Sequence, residues 1–383
     1  MFFFGFATAP YQSLLPVYVE ADLARQPLFT AYLRSLALAL SGMFAILGGR
    51  LADLLGLKII VLLGIAGGLL TGLVFHSSQV AILTTLVLII GAAHGPWSTA
   101  GQGYLILLAG PSRLGLGGAL YFLSGTAGNS IGSLCTGFVK DTWSFPLLGS
   151  VMSAIMAGLF LIGLLLLPAT PSSTASDVPR QRLALWASYR PLLARRNVHL
   201  LIALRFAITS FWGMATLVLP LLIFRVSGSV STAAFYGAVS LASAAVCQLL
   251  TGLIRDRWGR TVPLIGSALG IMASAACLTY STESVRGLFL FGTTLTATAW
   301  AVSTLVPALI DEVAGVEEKN RLVGLGHMVW SSAMVTGSLA GGILVEMGTH
   351  LPFVVGTFNT AVGTACIWWL CIRLDGSRLH NHC

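Results

Sequence analysis

Apolar runs of about twenty residues, separated by short polar breaks, repeat along the whole 383-residue chain. An α-helix needs a run of about that length to cross the hydrocarbon core of a bilayer, because each residue advances the helix by about 1.5 Å. Only 9% of the residues are charged, whereas about a quarter are charged in ordinary soluble domains. The sequence therefore predicts an all-α, multi-pass protein of the lipid bilayer, and we expect it in the cell (plasma) membrane.

We predict twelve membrane-spanning helices, at 2–19, 28–49, 58–76, 80–108, 116–139, 146–167, 199–224, 232–253, 262–280, 287–310, 322–345 and 351–372. We expect the first run to be a retained span, because no basic stretch precedes it and no small-residue cleavage site follows it. The longest polar interruption divides six spans from six. The predicted organisation is a six-helix bundle at 1–167, a cytoplasmic linker at 168–198 and a second bundle with a short tail at 199–383.

The positions of the basic residues predict the orientation, because Lys and Arg in short loops stay on the cytoplasmic side. With both termini inside, the outer loops contain only Arg25, Lys140, Arg225 and Arg286. The net charge of +8 therefore reflects orientation and does not indicate nucleic acid as a partner. In the linker, the stretch from Leu183 to Leu193 predicts a short amphipathic helix on the inner leaflet, with Trp186 and Tyr189 at the level of the lipid headgroups.

Two polar loops have the same pattern: GRLADLLGLK at 49–58 and TGLIRDRWGR at 251–260. Their aspartates, Asp53 and Asp256, lie 203 residues apart. Three further pairs are separated by 204 or 205 residues: Pro16 with Pro220, Gly110 with Gly315, and Gly132 with Gly337. A common offset indicates two halves of the same topology, related by an axis along the membrane normal.

The two loops resemble the loop between the second and third spans of the major facilitator superfamily of secondary transporters, Gly-x-Leu-Ala-Asp-Arg-x-Gly-Arg-Lys. The first loop lacks two of the family's basic residues, since Leu54 and Leu57 stand in their places. The matching residues are Gly49, Leu51, Ala52, Asp53, Gly56 and Lys58 in the first loop, and Gly252, Ile254, Asp256, Arg257, Gly259 and Arg260 in the second.

The resemblance implies twelve transmembrane helices in two pseudo-symmetric six-helix bundles, and transport of a small molecule by alternating access. It also implies that Asp53 holds the cytoplasmic side closed, with Arg113 or Arg321 as its partner. Physically, an aspartate can do this by pairing with basic residues or by accepting hydrogen bonds from the N–H groups at a helix start. The alternative is a solvated loop that only sets the orientation.

Polar side chains inside spans are the candidates for the substrate path, because they are costly in lipid and usually face the interior. Arg34 and Arg205 lie about two turns inside their predicted spans. If both face the interior, they favour an anionic substrate. The alternative is that each extends to the nearer membrane surface.

Two histidines are candidates for carrying a proton or contacting the substrate: His94, close to Pro96 and Trp97, and His327. The alternatives are a neutral His94 bonded to a carbonyl that the proline frees, and an interfacial His327. No Asp or Glu falls in the middle of a predicted span, so protons as the coupling ion would need a histidine or an edge carboxylate such as Glu20 or Asp22.

The first and seventh spans line the central cavity in the resembling family. By analogy, Tyr11 and Gln12 line it here, together with Phe211 and Trp212. Other polar or aromatic groups within spans are Asn129, Gln248, Trp300 and Asn359. Each of these could instead form an interhelical hydrogen bond worth about 1 kcal/mol.

Several function classes lack their motifs. No phosphate-binding loop supports ATP-driven transport, and no catalytic set inside the spans supports an enzyme. The family's antiporter signature is matched by Gly128, Gly132 and Gly137, whereas Ser133 and Thr136 depart from it, which suggests proton-coupled efflux as a hypothesis. We expect a monomer without cofactor or metal. A membrane receptor or sensor that binds its ligand without moving it is the alternative to a carrier.

Overall fold

The computed structural model describes residues 1–21, 23–24, 27–140, 143–169, 185–228 and 230–380. The described residues are almost entirely helical, which confirms the predicted all-α class. The helices are α1 (Phe2–Ala21), α2 (Pro27–Leu55), α3 (Leu57–Leu73), α4 (Val80–Lys140), α5 (Phe145–Leu166), α6 (Leu185–Leu193), α7 (Arg196–Ser227), α8 (Val230–Trp258), α9 (Thr261–Thr279), α10 (Val285–Val313), α11 (Lys319–Met347) and α12 (Leu351–His380).

Within the described ranges, ten segments are long and apolar enough to cross a membrane. They correspond to ten of the twelve predicted spans. The other two predicted spans, 2–19 and 116–139, fall on α1 and on the second part of α4, which are helical but are not among the ten. The number twelve therefore stays a prediction.

Glycines in the left-handed region separate several of these helices. Gly56 lies between α2 and α3 with φ 84°, and Gly259 lies between α8 and α9 with φ 80°. Gly110 interrupts α4 with φ 65° and ψ 166°. Side chains with a Cβ rarely adopt such angles, so glycine lets the chain turn tightly between consecutive helices. Both polar loops thus contain a tight turn at a glycine.

The contacts divide the chain into two units, and each contains a short segment from the opposite half of the sequence. Unit 1 comprises Met1–Leu107, Tyr121–Tyr189 and Glu317–Met328. Unit 2 comprises Leu108–Leu120, Arg190–Val316 and Val329–Cys383. Of the predicted linker 168–198, residues 170–184 lie outside the described residues, and the predicted amphipathic helix is present as α6.

The core of unit 1 is built around α3 and α5, with aromatic contacts toward each end. Phe4 of α1 stacks on Trp97 of α4, with ring centroids 3.7 Å apart. Tyr18 and Phe145 meet edge to face, and the Tyr18 hydroxyl donates a 2.8 Å hydrogen bond to the carbonyl of Ser77. Apolar burial thus fixes the helices whose polar faces form the sites described below.

The core of unit 2 is centred on α7, which packs against α10 and α12. Phe211 of α7 is fully buried, and Gly356 of α12 lies directly against its ring. Residues of α7 are buried on several faces along its length, as expected for a helix enclosed by others.

Very close helix contacts at glycines occur in both units, and Gly132 and Gly337 are an example from each. A Cβ added to Gly132 would lie 2.5 Å from the Phe6 carbonyl oxygen, and a Cβ added to Gly337 would lie 1.9 Å from the Ser210 carbonyl oxygen. Small residues let membrane helices pack backbone to backbone, where van der Waals contact stabilises the pair.

Replacing Gly337 with alanine should therefore force α7 and α11 apart. We expect Gly337→Ala to lower stability by about 1–3 kcal/mol, as overpacked cores do, and to lower the thermal unfolding temperature in detergent. Gly158→Ala is the matched control, because a Cβ at Gly158 has no atom within 4 Å among the described residues. Equal unfolding temperatures for the two variants would show that this contact does not support the fold.

Candidate functional site

Asp53, near the end of α2, is bound by the first residues of α11. Its Oδ1 accepts a 3.1 Å hydrogen bond from Nδ2 of Asn320, and its Oδ2 lies 3.0 Å from Nε of Arg321. The Asp53 and Arg321 side chains are only 12% and 14% exposed. Of the two partners expected from the resemblance, Arg321 is the one that pairs with Asp53, while Arg113 is exposed in unit 2. We name Asp53, Asn320 and Arg321 the unit 1 latch.

Tyr189 of α6 packs beside the unit 1 latch. Its hydroxyl donates a 2.6 Å hydrogen bond to the carbonyl of Ile46, and the residue is 3% exposed. Burial raises the pKa of the Tyr189 phenol, and the nearby Asp53 charge raises it further, so the hydroxyl stays protonated and keeps donating. This hydrogen bond turns the Tyr189 ring toward α2, a contact that was not predicted, and its position at the level of the lipid headgroups stays a prediction.

Asp256, near the end of α8, binds a helix start in a different way. Its Oδ1 accepts a 3.0 Å hydrogen bond from the backbone N–H of Gly115, and its Oδ2 accepts a 2.8 Å bond from that of Leu116. These N–H groups lie just after the break at Gly110, where the helix resumes. A carboxylate is favoured there, because the N-terminal end of a helix carries partial positive charge. We name Asp256, Gly115 and Leu116 the unit 2 latch.

The two latches occupy equivalent positions in the sequence. Asp53 and Asp256 lie 203 residues apart, and their partners Asn320 and Gly115 lie 205 residues apart. The backbones also approach in the same way: a Cβ on Gly49 would lie 2.6 Å from the Asn320 carbonyl oxygen, and one on Gly252 would lie 2.6 Å from that of Gly115. The repeated loop pattern thus produces a repeated contact.

Gly115 explains why the chemistry of the two latches differs. A Cβ at this position would lie 2.5 Å from Oδ1 of Asp256, so only glycine lets the carboxylate reach the backbone. In the unit 1 latch the corresponding position is Asn320, whose side chain takes the place of the backbone N–H as donor. Of the two ways considered for Asp53, pairing with a basic residue is present through Arg321, and the Asn320 amide adds a side-chain donor that was not predicted.

An ionic network extends the unit 2 latch. Arg255 lies 3.0 Å from Asp256 and 3.7 Å from Glu312 of α10, and Arg260 pairs with Glu312 and with Asp375 of α12. The Arg260 side chain is nearly buried. Arg255 and Glu312 were not identified as site residues from the sequence. Of the other candidates in the loops, Arg257 is exposed and Lys58 is half-buried.

A buried polar network in unit 1 brings together the two histidines singled out in the sequence. The Ser41 hydroxyl lies 3.2 Å from Nδ1 of His94 and 3.1 Å from Nε2 of His327. The Ser98 hydroxyl lies 3.2 Å from Nδ1 of His327, and the Gln102 amide donates to it at 3.4 Å. The imidazole centroids are 5.8 Å apart. Because His327 is 8% exposed and has a hydroxyl at each ring nitrogen, it is an interior group rather than an interfacial one.

Other candidates of unit 1 lie apart from this network. Trp97 is 8% exposed and packs against Phe4 as a core residue. The Arg34 guanidinium is exposed and donates to the backbone carbonyl of Gln12, whose side chain is also exposed. Tyr11 and Asn129 are half-buried.

The polar candidates of unit 2 lie mainly along α7 and its neighbours. The guanidinium of Arg205 donates a 3.2 Å hydrogen bond to the Ser303 hydroxyl of α10. Trp212 meets Trp300 of α10 edge to face, with ring centroids 6.5 Å apart. The Asn359 amide of α12 donates to Ser210 at 3.3 Å. Arg205 thus bonds within the unit, about ten residues from the N-terminal end of α7.

Comparison with known proteins gives a consistent result. The sequence model of the Major Facilitator Superfamily matches residues 1–337 and 229–381. The class C tetracycline resistance protein of Escherichia coli is 32% identical over 146 residues, which is 37% of this chain and 36% of that protein. The chain spans little more than a third of the length of the curated relatives it matches.

Two solved structures share the fold over nearly the whole chain. The human organic anion transporter MFSD10 (TETRAN) superposes with a TM-score of 0.80 and 15% identity, covering 95% of this chain and 97% of that one. FucP, the fucose:proton symporter of E. coli, superposes with a TM-score of 0.76 and 14% identity, covering 96% of each chain. At these identities the likeness shows the fold alone.

The unit 2 latch makes a prediction about amide exchange. In Asp256→Asn, one side-chain oxygen can still accept, but the new NH2 group faces the second backbone N–H and repels it. Hydrogen bonds to charged groups contribute about 1.5–3 kcal/mol, so deuterium exchange at the Gly115 and Leu116 amides should rise about tenfold or more. Glu283→Gln, which removes an exposed charge elsewhere, is the control. Unchanged exchange at both amides would contradict the latch.

Proposed function

Because the chain belongs to the Major Facilitator Superfamily, we propose that it is a secondary carrier that moves a small molecule across the membrane by alternating access. The proposal includes twelve spans in two six-helix bundles joined by the linker at 168–198, with both termini cytoplasmic. The observation that carries it is the pair of equivalent latches, each made by an aspartate on the start of a helix from the opposite half of the sequence.

The strength of the hydrogen bonds in the latches suits contacts that must open and close during transport. Each contains charge-assisted hydrogen bonds, which are stronger than neutral ones yet contribute only about 1.5–3 kcal/mol. Such a contact stabilises one state of the carrier without preventing the other, because the free energy of substrate or ion binding is of the same order. We propose that both latches close the cytoplasmic side and that both open when that side does.

Export is the direction that we propose. The relative from E. coli is a tetracycline resistance protein, and moving a compound out of the cell is the direction that fits resistance. The three matched glycines of the antiporter signature agree with export in exchange for another species. A small organic molecule is thus the proposed substrate, and protons are the proposed coupling ion.

His94 and His327 are the groups that we propose carry the coupling proton. In the sequence, no Asp or Glu lies in the middle of a predicted span, so no carboxylate there can perform the step. Imidazole titrates near neutral pH in water, and its two nitrogens can pass a proton along hydrogen bonds. The Ser41 hydroxyl touches both rings and gives such a path within unit 1.

Flux measurements in sealed proteoliposomes test the carrier. Tetracyclines, organic anions, sugars and lipophilic cations should be screened with and without a pH gradient, on wild type, Asp53→Asn and the control Glu283→Gln. We expect at least one compound to move, with flux reduced about tenfold in Asp53→Asn, corresponding to about 1.4 kcal/mol, and unchanged in the control. Binding that raises thermal stability with no flux under any gradient would instead support a receptor.

A second measurement tests the histidines. His327→Gln keeps groups that can bond to Ser41 and Ser98 but removes the titrating ring. We expect gradient-driven flux to be lost while exchange of labelled for unlabelled substrate at equal pH persists. The exposed His76, changed to glutamine, serves as the matched control. If both His327→Gln and His94→Gln retained gradient-driven flux, the proton would have to travel by another route.

A further inference from the structure

We propose that Arg205, Trp300 and Ser303 form a binding site for an anionic group, so that the substrate is an organic anion. This inference rests on the proposed carrier function, since it names the substrate class of that carrier. The site lies wholly within unit 2, between one face of α7 and one face of α10.

Arg205 is a cation with no carboxylate partner in the described part of the chain. Its guanidinium donates to the Ser303 hydroxyl, and among the residues that the structure describes it forms no ion pair. Its Nε–H is buried and has no hydrogen-bond acceptor within the same described set. An intramembrane cation without a partner is costly and is usually retained for function. A negatively charged ligand would supply the missing partner.

The depth of Arg205 within its predicted span argues against a role at the membrane surface. Arg205 and Ser303 each lie about ten residues, or about 15 Å of helix, from the inner ends of α7 and α10. A snorkelling side chain would extend toward the nearer surface. The guanidinium instead bonds to a hydroxyl at its own depth.

Trp300 adds a second unused donor on the same face of α10. It precedes Ser303 by three residues, and residues three apart are neighbours on a helix surface. Its indole Nε1–H is buried and, over the described ranges, meets no acceptor. Arginine and tryptophan side chains donate only. Two buried donors without acceptors therefore select a ligand group that only accepts, such as a carboxylate, sulfonate or enolate.

The surroundings indicate what the anionic group is attached to. Trp212 lies about two turns from Arg205 along α7, on the same face, and its ring meets Trp300 edge to face at an angle of 73°. Aromatic walls beside a cation suit a flat, apolar body carrying one charged end. The site is thus expected to prefer an aromatic or polycyclic anion to a small inorganic one.

Gln248 of α8 is a further candidate contact for such a ligand. It is fully buried, and both its amide oxygen and its amide nitrogen are without partners in the part of the chain that the structure describes. It lies about ten residues from the inner end of α8, at the same depth as Arg205 by helix rise, and α8 packs closely against α10. An amide both donates and accepts, so Gln248 would suit a neutral polar group of the ligand.

Two probes of the same shape, one charged and one neutral, test whether the site prefers an anion. Binding of 2-naphthoate and of the neutral 2-naphthamide should be measured by isothermal calorimetry on the full chain in nanodiscs of zwitterionic phosphatidylcholine. We expect the acid to bind at least about tenfold more tightly than the amide. Adding anionic phosphatidylglycerol should leave that ratio unchanged, whereas abolition of naphthoate binding would assign the site to a lipid headgroup and overturn the proposal.

Variants separate binding from folding. In Arg205→Gln, the preference for the acid should disappear and the unliganded unfolding temperature should stay equal or rise, because an unpaired buried cation is removed. Arg205→Lys should keep part of the preference, and Trp300→Phe should weaken acid binding severalfold. Arg286→Gln, which removes an exposed cation, is the control. A folded Arg205→Gln that still prefers the acid would overturn the proposal.

The carrier and the anion site can fail separately. Flux of neutral or cationic compounds that is indifferent to Arg205→Gln would leave the carrier intact and reject the site. Binding of naphthoate that depends on Arg205, with no flux of any compound, would keep the site and reject the carrier.

Discussion

Inside a bilayer no water is present to satisfy backbone N–H and C=O groups, and that constraint accounts for most of this structure. Each apolar run must form a helix, because only a helix bonds all its own backbone groups. Helices cannot gain stability by hiding apolar side chains from lipid, so they associate through close packing, as at Gly132 and Gly337. Every polar side chain inside a span then needs either a partner or a function.

The few interior polar groups divide according to this rule. His94 and His327 are joined through the Ser41 hydroxyl in unit 1. Arg205 and Trp300 retain unused donors within the described part of unit 2. Imidazoles joined by a hydroxyl suit proton transfer, whereas donors without acceptors suit a ligand that brings its own charge. The same bilayer physics thus underlies both proposals, a coupling site in unit 1 and a substrate site in unit 2.

Much of this organisation could be predicted from the sequence, because span length, loop charge and the 203-residue offset are local or periodic properties. Both aspartates of the latches were identified in this way. The Asn320 partner of Asp53 was harder to predict. Nothing in the loop pattern indicates that Asn320 donates from its side chain, whereas Gly115 donates from its backbone N–H. Ser41 was not identified, because a serine in an apolar run gains its role only from His327, which is 286 residues away. The contact of Tyr189 with α2 was not predicted, because an amphipathic pattern fits a lipid surface and a protein surface equally well.

The most direct test of the account is to lock one latch shut in a transporting protein. An ideal Cβ on Gly252 lies 2.7 Å from Cβ of Ala119 and 2.6 Å from the Gly115 carbonyl oxygen, so the two helices must separate by about 1 Å before an Ala119→Cys/Gly252→Cys pair reaches the Cβ–Cβ distance of about 3.8 Å in a disulfide. Flux of the reduced double variant shows whether the protein tolerates this separation, and it is the reference rate. Flux in proteoliposomes should stop on oxidation and return on reduction, while each single-cysteine variant stays insensitive. If the cross-linked protein transported as fast as the same variant after reduction, the latch would not open during transport. The claim that the latches open with the cytoplasmic side would then be wrong.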